Sequence, residues 1–199
     1  MSADQNKALT AEITAKELNE AITRLKANKS PGSDGFTAEW YKVFRKELMP
    51  ILLTTCNWVL KKAMTPPTCK EAIISLIPKE GKNRMECGSY RPISILNVDY
   101  RIYTSIMAKR LEKFLPTLIH NDQTGFIHMR QTHDNIKRTL HIMDHIQQHE
   151  VKSMILSLDA EKAFDSVSWQ YLYKVLNKSG FNVSAINIKA IYDSPTARL

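Results

Sequence analysis

The pair Pro66-Pro67 marks the point where the chain changes the period of its apolar residues, and that change limits the folds it can enter. Before it the spacing is helical. Thr14 and Glu17 form a capping box ahead of Leu18, Ala21, Ile22 and Leu25 on one face, which predicts a helix over 14–28. It stops before Ser30-Pro31-Gly32-Ser33-Asp34-Gly35, a run of turn formers that reads by turn chemistry as a connector between helices. Helices are expected over 37–48 and from Pro50 to Ala63, with Trp40, Tyr41 and Phe44 at core spacing. After the prolines, 72–77 and 91–96 are short apolar runs bounded by turn residues, as the strands of a hairpin are. The charged segment 78–84 would be its basic, mobile tip.

Further helices are predicted over 99–114, closed by Pro116, and over 132–149, where Ile136, Leu140, Met143 and Ile146 form a stripe. Residues 152–158 are nearly continuous in apolar side chains, the pattern of a strand covered on both faces. Ser168 can cap a helix through Trp169, Leu172, Tyr173 and Leu176 that ends at Gly180, and Ser184 can cap another, broken at Ser194-Pro195. The expected class is α/β (α+β) and helix-rich.

With 28 Lys+Arg against 20 Asp+Glu in 199 residues, the formal charge is +8, spread along the chain rather than held in a tail. Such an excess suits a polyanion such as nucleic acid, although solubility alone also accounts for it. No apolar run approaches the ~18 residues of a membrane span, and the polar N-terminus has no signal-peptide core. The expectation is a soluble, intracellular protein, nuclear and/or cytoplasmic, not secreted and without a membrane partner. Cys56, Cys69 and Cys87 form no C-x-x-C pair and read as reduced thiols. His141, His145 and His149 have a spacing that could bind zinc, but no Cys or acidic ligand lies at a suitable offset.

Two features carry chemistry. Asp159 stands at the carboxyl end of the expected 152–158 strand, where open sheets form ligand crevices; its other reading is a cap of the following turn. Asp165, six residues on, would point roughly 240° away on a helix and could not share a metal with it. Lys79, Lys82, Arg84 and Arg91 make the hairpin basic, able to close over phosphates or simply to stay solvated.

In order, Pro-Gly-Ser-Asp-Gly-Phe at 31–36, Ile-Ser-Leu-Ile-Pro-Lys at 74–79, Tyr-Arg-Pro-Ile-Ser-Ile-Leu-Asn at 90–97, Gln-Thr-Gly-Phe-Ile at 123–127 and Asp-Ala-Glu-Lys-Ala-Phe-Asp at 159–165 resemble the motifs of reverse transcriptases, and more narrowly those of LINE-type, non-LTR retrotransposons. The resemblance implies a right-hand polymerase fold: a flexible tail at 1–13, a helical N-terminal extension at 14–70, fingers at 71–150 and the start of a truncated palm at 151–199, with the reverse transcriptase domain at about 71–199. It implies RNA template, DNA primer and dNTPs as partners and two Mg2+ ions as cofactors. Asp159 matches the first palm aspartate, which binds both ions, and the carbonyl of Ala160 a further ligand. Phe164 matches the aromatic gate that excludes a ribose 2′ hydroxyl. Arg91 matches the fingers arginine on the incoming triphosphate, and Lys79 its accompanying lysine. Gln123, Gly125 and Phe126 match a motif near template and primer, with Gly125 permitting close backbone approach. Arg130, Lys137 and Arg138 read either as phosphate contacts or as a solvated helix face.

Two-metal phosphoryl transfer needs at least two aligned carboxylate positions. The resemblance places the second on an Asp-Asp pair of a later palm hairpin, and the sequence has no Asp-Asp dipeptide. The expectation is therefore an RNA-directed DNA polymerase segment that does not polymerise alone; a non-catalytic nucleic-acid-binding module and a degenerate retroelement remnant stay open as other readings.

Overall fold

The computed structural model describes residues 1–198, and of residues 182–185 the backbone alone. Its first element replaces the expected flexible tail. Ser2 and Gln5 form a capping box, with Gln5 N–H donating to Ser2 Oγ at 3.2 Å and Ser2 N–H to Gln5 Oε1 at 2.9 Å, and helix α1 follows at Ala3–Thr10. Leu9 and Ile13 are 0% and 2% exposed, so burial orders this segment. Helix α2 (Ala15–Thr23) starts on the expected Thr14–Glu17 box but ends at Thr23, short of residue 28.

Helices α3 (Ala38–Val43) and α4 (Arg45–Lys62) part at Phe44 rather than at Pro50, which lies inside α4. Pro50 has no N–H for the carbonyl of Lys46, but both residues are exposed, so water can take that carbonyl and the helix continues. Past the two prolines, β1 (Glu71–Pro78) and β2 (Tyr90–Leu96) pair as the expected antiparallel hairpin, from Ala72 opposite Leu96 to Pro78 opposite Tyr90.

Helix α5 (Val98–Glu112) then crosses the core, and Pro116 opens the short α6 (Leu115–Leu118) instead of closing α5. Helices α7 (Thr132–Gln148), α8 (Trp169–Lys178) and α9 (Asn182–Tyr192) follow, with Ser168 Oγ capping α8 by accepting from Tyr171 N–H at 3.1 Å. The expected cap at Ser184 falls inside α9, and its side chain lies outside the described residues. Strand β3 (Thr196–Arg198) returns parallel to β1, giving the order β2-β1-β3.

The expected strand at 152–158 does not form; its apolar residues are exposed, Leu158 at 85%. A strand exists through its ladder, and among the described residues none pairs with this segment. The stripe of α7 likewise stays uncovered, for Ile136, Leu140 and Met143 are exposed.

The core gathers around α5, whose Ile102, Tyr103, Ile106 and Met107 are buried together with Leu18 and Ile22 of α2 and Val59 and Leu60 of α4. The next residue on that face is Arg110, only 6% exposed. All five of its N–H donors find acceptors. Nε and Nη2 grip Glu17 at 2.7 and 2.9 Å, Nη1 donates to the carbonyls of Leu9 (3.1 Å) and Ala11 (2.6 Å), and Nη2 also to that of Glu12 (3.1 Å). One guanidinium thus joins the end of α1, the loop after it and the start of α2. The hydrogen bonds from Arg110 hold the Glu17 carboxyl down at about 2, against an ordinary 4.5.

Arg110→Met should destabilise the chain by about 3 to 5 kcal/mol, the scale for stripping one partner from a buried ion pair. Because the folded Glu17 titrates below its unfolded value, its contribution is complete above pH 4.5 and lost as pH falls toward about 2. Denaturant midpoints measured across that window should fall for the wild type and flatten for Glu17→Gln.

Candidate active site

Two turns far apart in sequence are locked by one buried amide. Asn97, at the end of β2, donates from Nδ2 to the carbonyl of Thr68 at 3.2 Å, while its Oδ1 accepts from Ser33 Oγ at 3.3 Å and Asp34 N–H at 3.4 Å. Gly32 packs so tightly here that a Cβ would lie 2.6 Å from the Asn97 nitrogen and overlap its Oδ1. The 31–36 connector is therefore fixed onto the 90–97 segment, and with it the base of the hairpin.

At the tip, Lys79 and Arg91 differ. The Lys79 ammonium donates to the carbonyl of Gly88 at 2.8 Å and its N–H to that of Ser89 at 2.7 Å, so it closes the hairpin on itself. Tyr90 Oη adds a bond to the carbonyl of Arg84 at 2.9 Å. Arg91 stands opposite Ile77, exposed and with no hydrogen-bond partner for its guanidinium among the described residues.

Arg130 takes a role other than the expected phosphate contact. Its Nη1 donates to the carbonyls of His120 (2.6 Å) and Gln123 (2.8 Å), and its Nη2 to those of Pro116 (3.0 Å) and Ile119 (2.9 Å). Four carbonyls use the four terminal donors, so the residue staples its loop and has no fork left for a phosphate. Inside the loop, Gln123 Nε2 donates to the carbonyl of Gly125 at 3.1 Å, and the buried Thr124 hydroxyl accepts from Asn135 Nδ2 of α7 at 2.8 Å. Gly125 is not pressed by backbone: a Cβ there would meet only Gln123 Nε2, at 3.8 Å.

This loop presents Phe126, at φ 61°, to Phe164, with ring centroids 5.7 Å apart and planes at 85°. Both are largely exposed, at 89% and 80%. The edge-on pair brings the 123–127 and 159–165 motifs together. Asp159 and Ala160 lie in the same exposed turn segment, which Ser166 ties back through N–H to the carbonyl of Lys162 at 2.9 Å and Oγ to that of Glu161 at 3.3 Å. Since 159–160 is irregular and 161–166 a series of turns rather than a helix, the helical separation of Asp159 from Asp165 does not apply. Among the described residues no three His, Cys, Asp or Glu side chains come close enough to hold a metal ion, so these residues do not themselves make a two-ion site.

A basic groove is the feature the sequence reading missed. Lys26, Lys29 and Arg101 line a cavity of about 540 Å³ with Ser30, Ser75 and Ser94, and among the described residues no carboxylate lines it. Lys26 and Arg101 are shared with a second cavity of about 610 Å³, which Arg24, Phe126 and Lys109 also line, Lys109 being paired with Glu112 at 2.7 Å. The groove thus leads from the sheet face to the Phe126–Phe164 pair. In the sequence Lys26 falls at the end of the expected 14–28 helix and Lys29 just after it, beside the 30–35 turn, and neither position carries a signal of the groove.

A family model described as reverse transcriptase (RNA-dependent DNA polymerase) matches residues 77–198. The chain is 33% identical over 195 residues to the Transposon TX1 uncharacterized 149 kDa protein of Xenopus laevis, an alignment covering 98% of this chain and 15% of that protein. It is 28% identical over 166 residues to the RNA-directed DNA polymerase from mobile element jockey of Drosophila melanogaster (81% and 18%). Over 170 residues it is 31% identical to the Retrovirus-related Pol polyprotein from type-2 retrotransposable element R2DM of the same fly (84% and 15%). The chain belongs to the reverse transcriptase family, on its LINE-type, non-LTR side, and spans less than a fifth of the length of each of these curated relatives.

Arg130→Lys should leave the global melting temperature nearly unchanged but speed amide hydrogen exchange across 119–125, since one ammonium cannot hold four diverging carbonyls. Unchanged exchange there would remove the staple assignment.

Proposed function

We propose that this chain is part of an RNA-directed DNA polymerase of a non-LTR retrotransposon, and that it handles RNA template, DNA primer and dNTPs. The observation that carries the reading is the family match over 77–198, whose motifs at 123–127 and 159–165 meet at the Phe126–Phe164 contact. In this reading residues 14–70 are the helical N-terminal extension, with α1 joined to it, 71–150 the fingers and 151–199 the start of the palm.

The groove from Lys29 to Phe126 holds a nucleic-acid strand by its phosphates, with Lys26, Lys29, Arg101 and serine hydroxyls set among Ile77, Ile93, Ile95 and Leu96 at its sheet end. Arg91, exposed at the hairpin, is the residue for the incoming triphosphate, whose planar anionic oxygens suit a guanidinium fork. Lys79 supports it by keeping the hairpin tip closed. Gln123 and Gly125 belong to the template–primer side, positioned through Arg130. Phe164, in edge-on contact with Phe126, is the residue proposed to exclude a 2′ hydroxyl with its flat ring.

The ion we propose for the complete enzyme is Mg2+, with the Asp159 carboxylate and the Ala160 carbonyl among its oxygen donors, because magnesium prefers hard oxygen ligands. Among the described residues no three His, Cys, Asp or Glu side chains come together, and in this reading the chain does not polymerise alone. A nuclear or cytoplasmic site of action goes with this reading.

The test is binding and incorporation measured on the same chain. An RNA template annealed to a DNA primer should bind with affinity that falls steeply with salt. Lys26→Ala with Lys29→Ala should lower the log–log slope by about 1 for each phosphate that is no longer neutralised. Asp159→Ala should bind normally, and no dNTP incorporation should occur with either protein. Salt-insensitive binding would contradict the groove assignment, and template-directed incorporation by the wild-type chain would contradict the incomplete site.

A further inference from the structure

Toward the N-terminal end of α5 from the Arg110 network, α3, α4 and the start of α5 enclose a cavity of about 230 Å³. Its wall is mostly apolar and aromatic: Trp40 and Tyr41 from α3, Tyr100 and Tyr103 from α5. Set into that wall is one carboxyl group, Asp99. Its Oδ1 accepts the N–H of Tyr100 at 2.6 Å, and among the described residues no Lys, Arg or His pairs with it. Asp99 is half-buried in the first turn of α5, where the helix N-terminus offsets part of its charge; no side-chain cation takes the rest, which a positively charged ligand would offset.

The neighbouring groups do not supply that charge. Cys56 and Cys69 also line the cavity, and burial pushes both thiols up to about 12, so they remain protonated. The Tyr41 and Tyr103 hydroxyls are raised further by burial and stay neutral, while Asp34 nearby adds negative potential. Burial raises Asp99 itself above the ordinary carboxylate range, and a bound cation would draw it back down. Aromatic rings around a carboxylate are the chemistry that recognises an organic ammonium ion, through charge pairing on one side and ring quadrupoles on the others.

We infer that the cavity bounded by Trp40, Tyr41, Tyr100 and Tyr103 is a binding site for a small organic ammonium ion, with Asp99 as its counter-charge. The volume sets the size of the guest. A dry cavity of ~150 Å³ takes a benzene ring, so 230 Å³ takes one aryl ring with a short alkylamine arm. This site is separate from the basic groove, whose charged lining residues, Lys26, Lys29 and Arg101, are all cations and would repel such a ligand. Occupancy would brace α3 and α4 against α5.

The probe is phenethylamine, titrated into the full chain by calorimetry, beside phenethyl alcohol, which has the same ring and arm without the charge. The amine should bind saturably, at one site, about tenfold or more tighter than the alcohol, as expected when a charge-assisted contact replaces a neutral one. Asp99→Asn should bring the two affinities together. Thr55→Phe, which adds a ring to an exposed position of the lining, should remove amine binding with the melting temperature kept, and it serves as the decisive variant should Asp99→Asn fail to fold. Equal affinity of amine and alcohol, undiminished amine binding by Thr55→Phe, or no saturable binding at all would overturn the inference.

Discussion

Arg110 is the contact on which the helical half depends. A guanidinium on the buried face of α5 would be ruinous unpaired, and here it is paired on every donor: a bidentate carboxylate on one side and three backbone carbonyls on the other. Those carbonyls belong to Leu9, Ala11 and Glu12, the end of α1 and the chain after it, which have no helical partners of their own to satisfy. Glu17 serves twice, as acceptor for Arg110 and as the return arm of the α2 capping box. Removing either residue therefore frees two helix ends at once. The groove built on Lys26, Lys29 and Arg101 lies beside this arrangement, for the chain that follows α2, the hairpin and α5 form its walls.

Order then decreases with distance from α5. Where a loop is tied by a polar group with all its partners, as 31–36 is by Asn97 and 116–125 by Arg130, the chain holds a defined path outside regular structure. Where apolar residues have neither ladder nor cover, as at 152–158, the segment runs exposed. Asp159 sits at the end of such a segment, and the contact of Phe164 with Phe126 is what ties its turn to the rest. In the proposed reading, holding nucleic acid and assembling a catalytic centre place different demands on the fold: the first falls to α5, the hairpin and the chain after α2, the second needs donors beyond those described.

Local signals were legible in the sequence because their causes are local. The Thr14–Glu17 box, the Ser168 cap and the turn residues that bound the apolar runs of the hairpin all lie within a few residues of what they determine. The strand at 152–158 was not, since a ladder partner is a property of distant chain. Charges were visible, but not what takes them: Lys79 and Arg130 read as phosphate ligands and instead bind carbonyls of their own loops, while Arg91 stays exposed. The burial of Arg110 did have a signature, for it continues the spacing of Ile102 and Ile106 along one face, yet a charged residue on a helix is by default assigned to water. The tail at 1–13 concealed a capping box of the same kind that identified α2.

The most direct measurement is photocrosslinking of an RNA template carrying thiouridine, annealed to a DNA primer and bound to the whole chain. Crosslinks should map to the segments that line the groove, around Lys26–Lys29, Arg101–Lys109 and Phe126. Crosslinks concentrated instead on the outer face of α4, at Ile51 and Trp58, or along α8, would contradict the claim that the α2–α5 platform is what holds the nucleic acid.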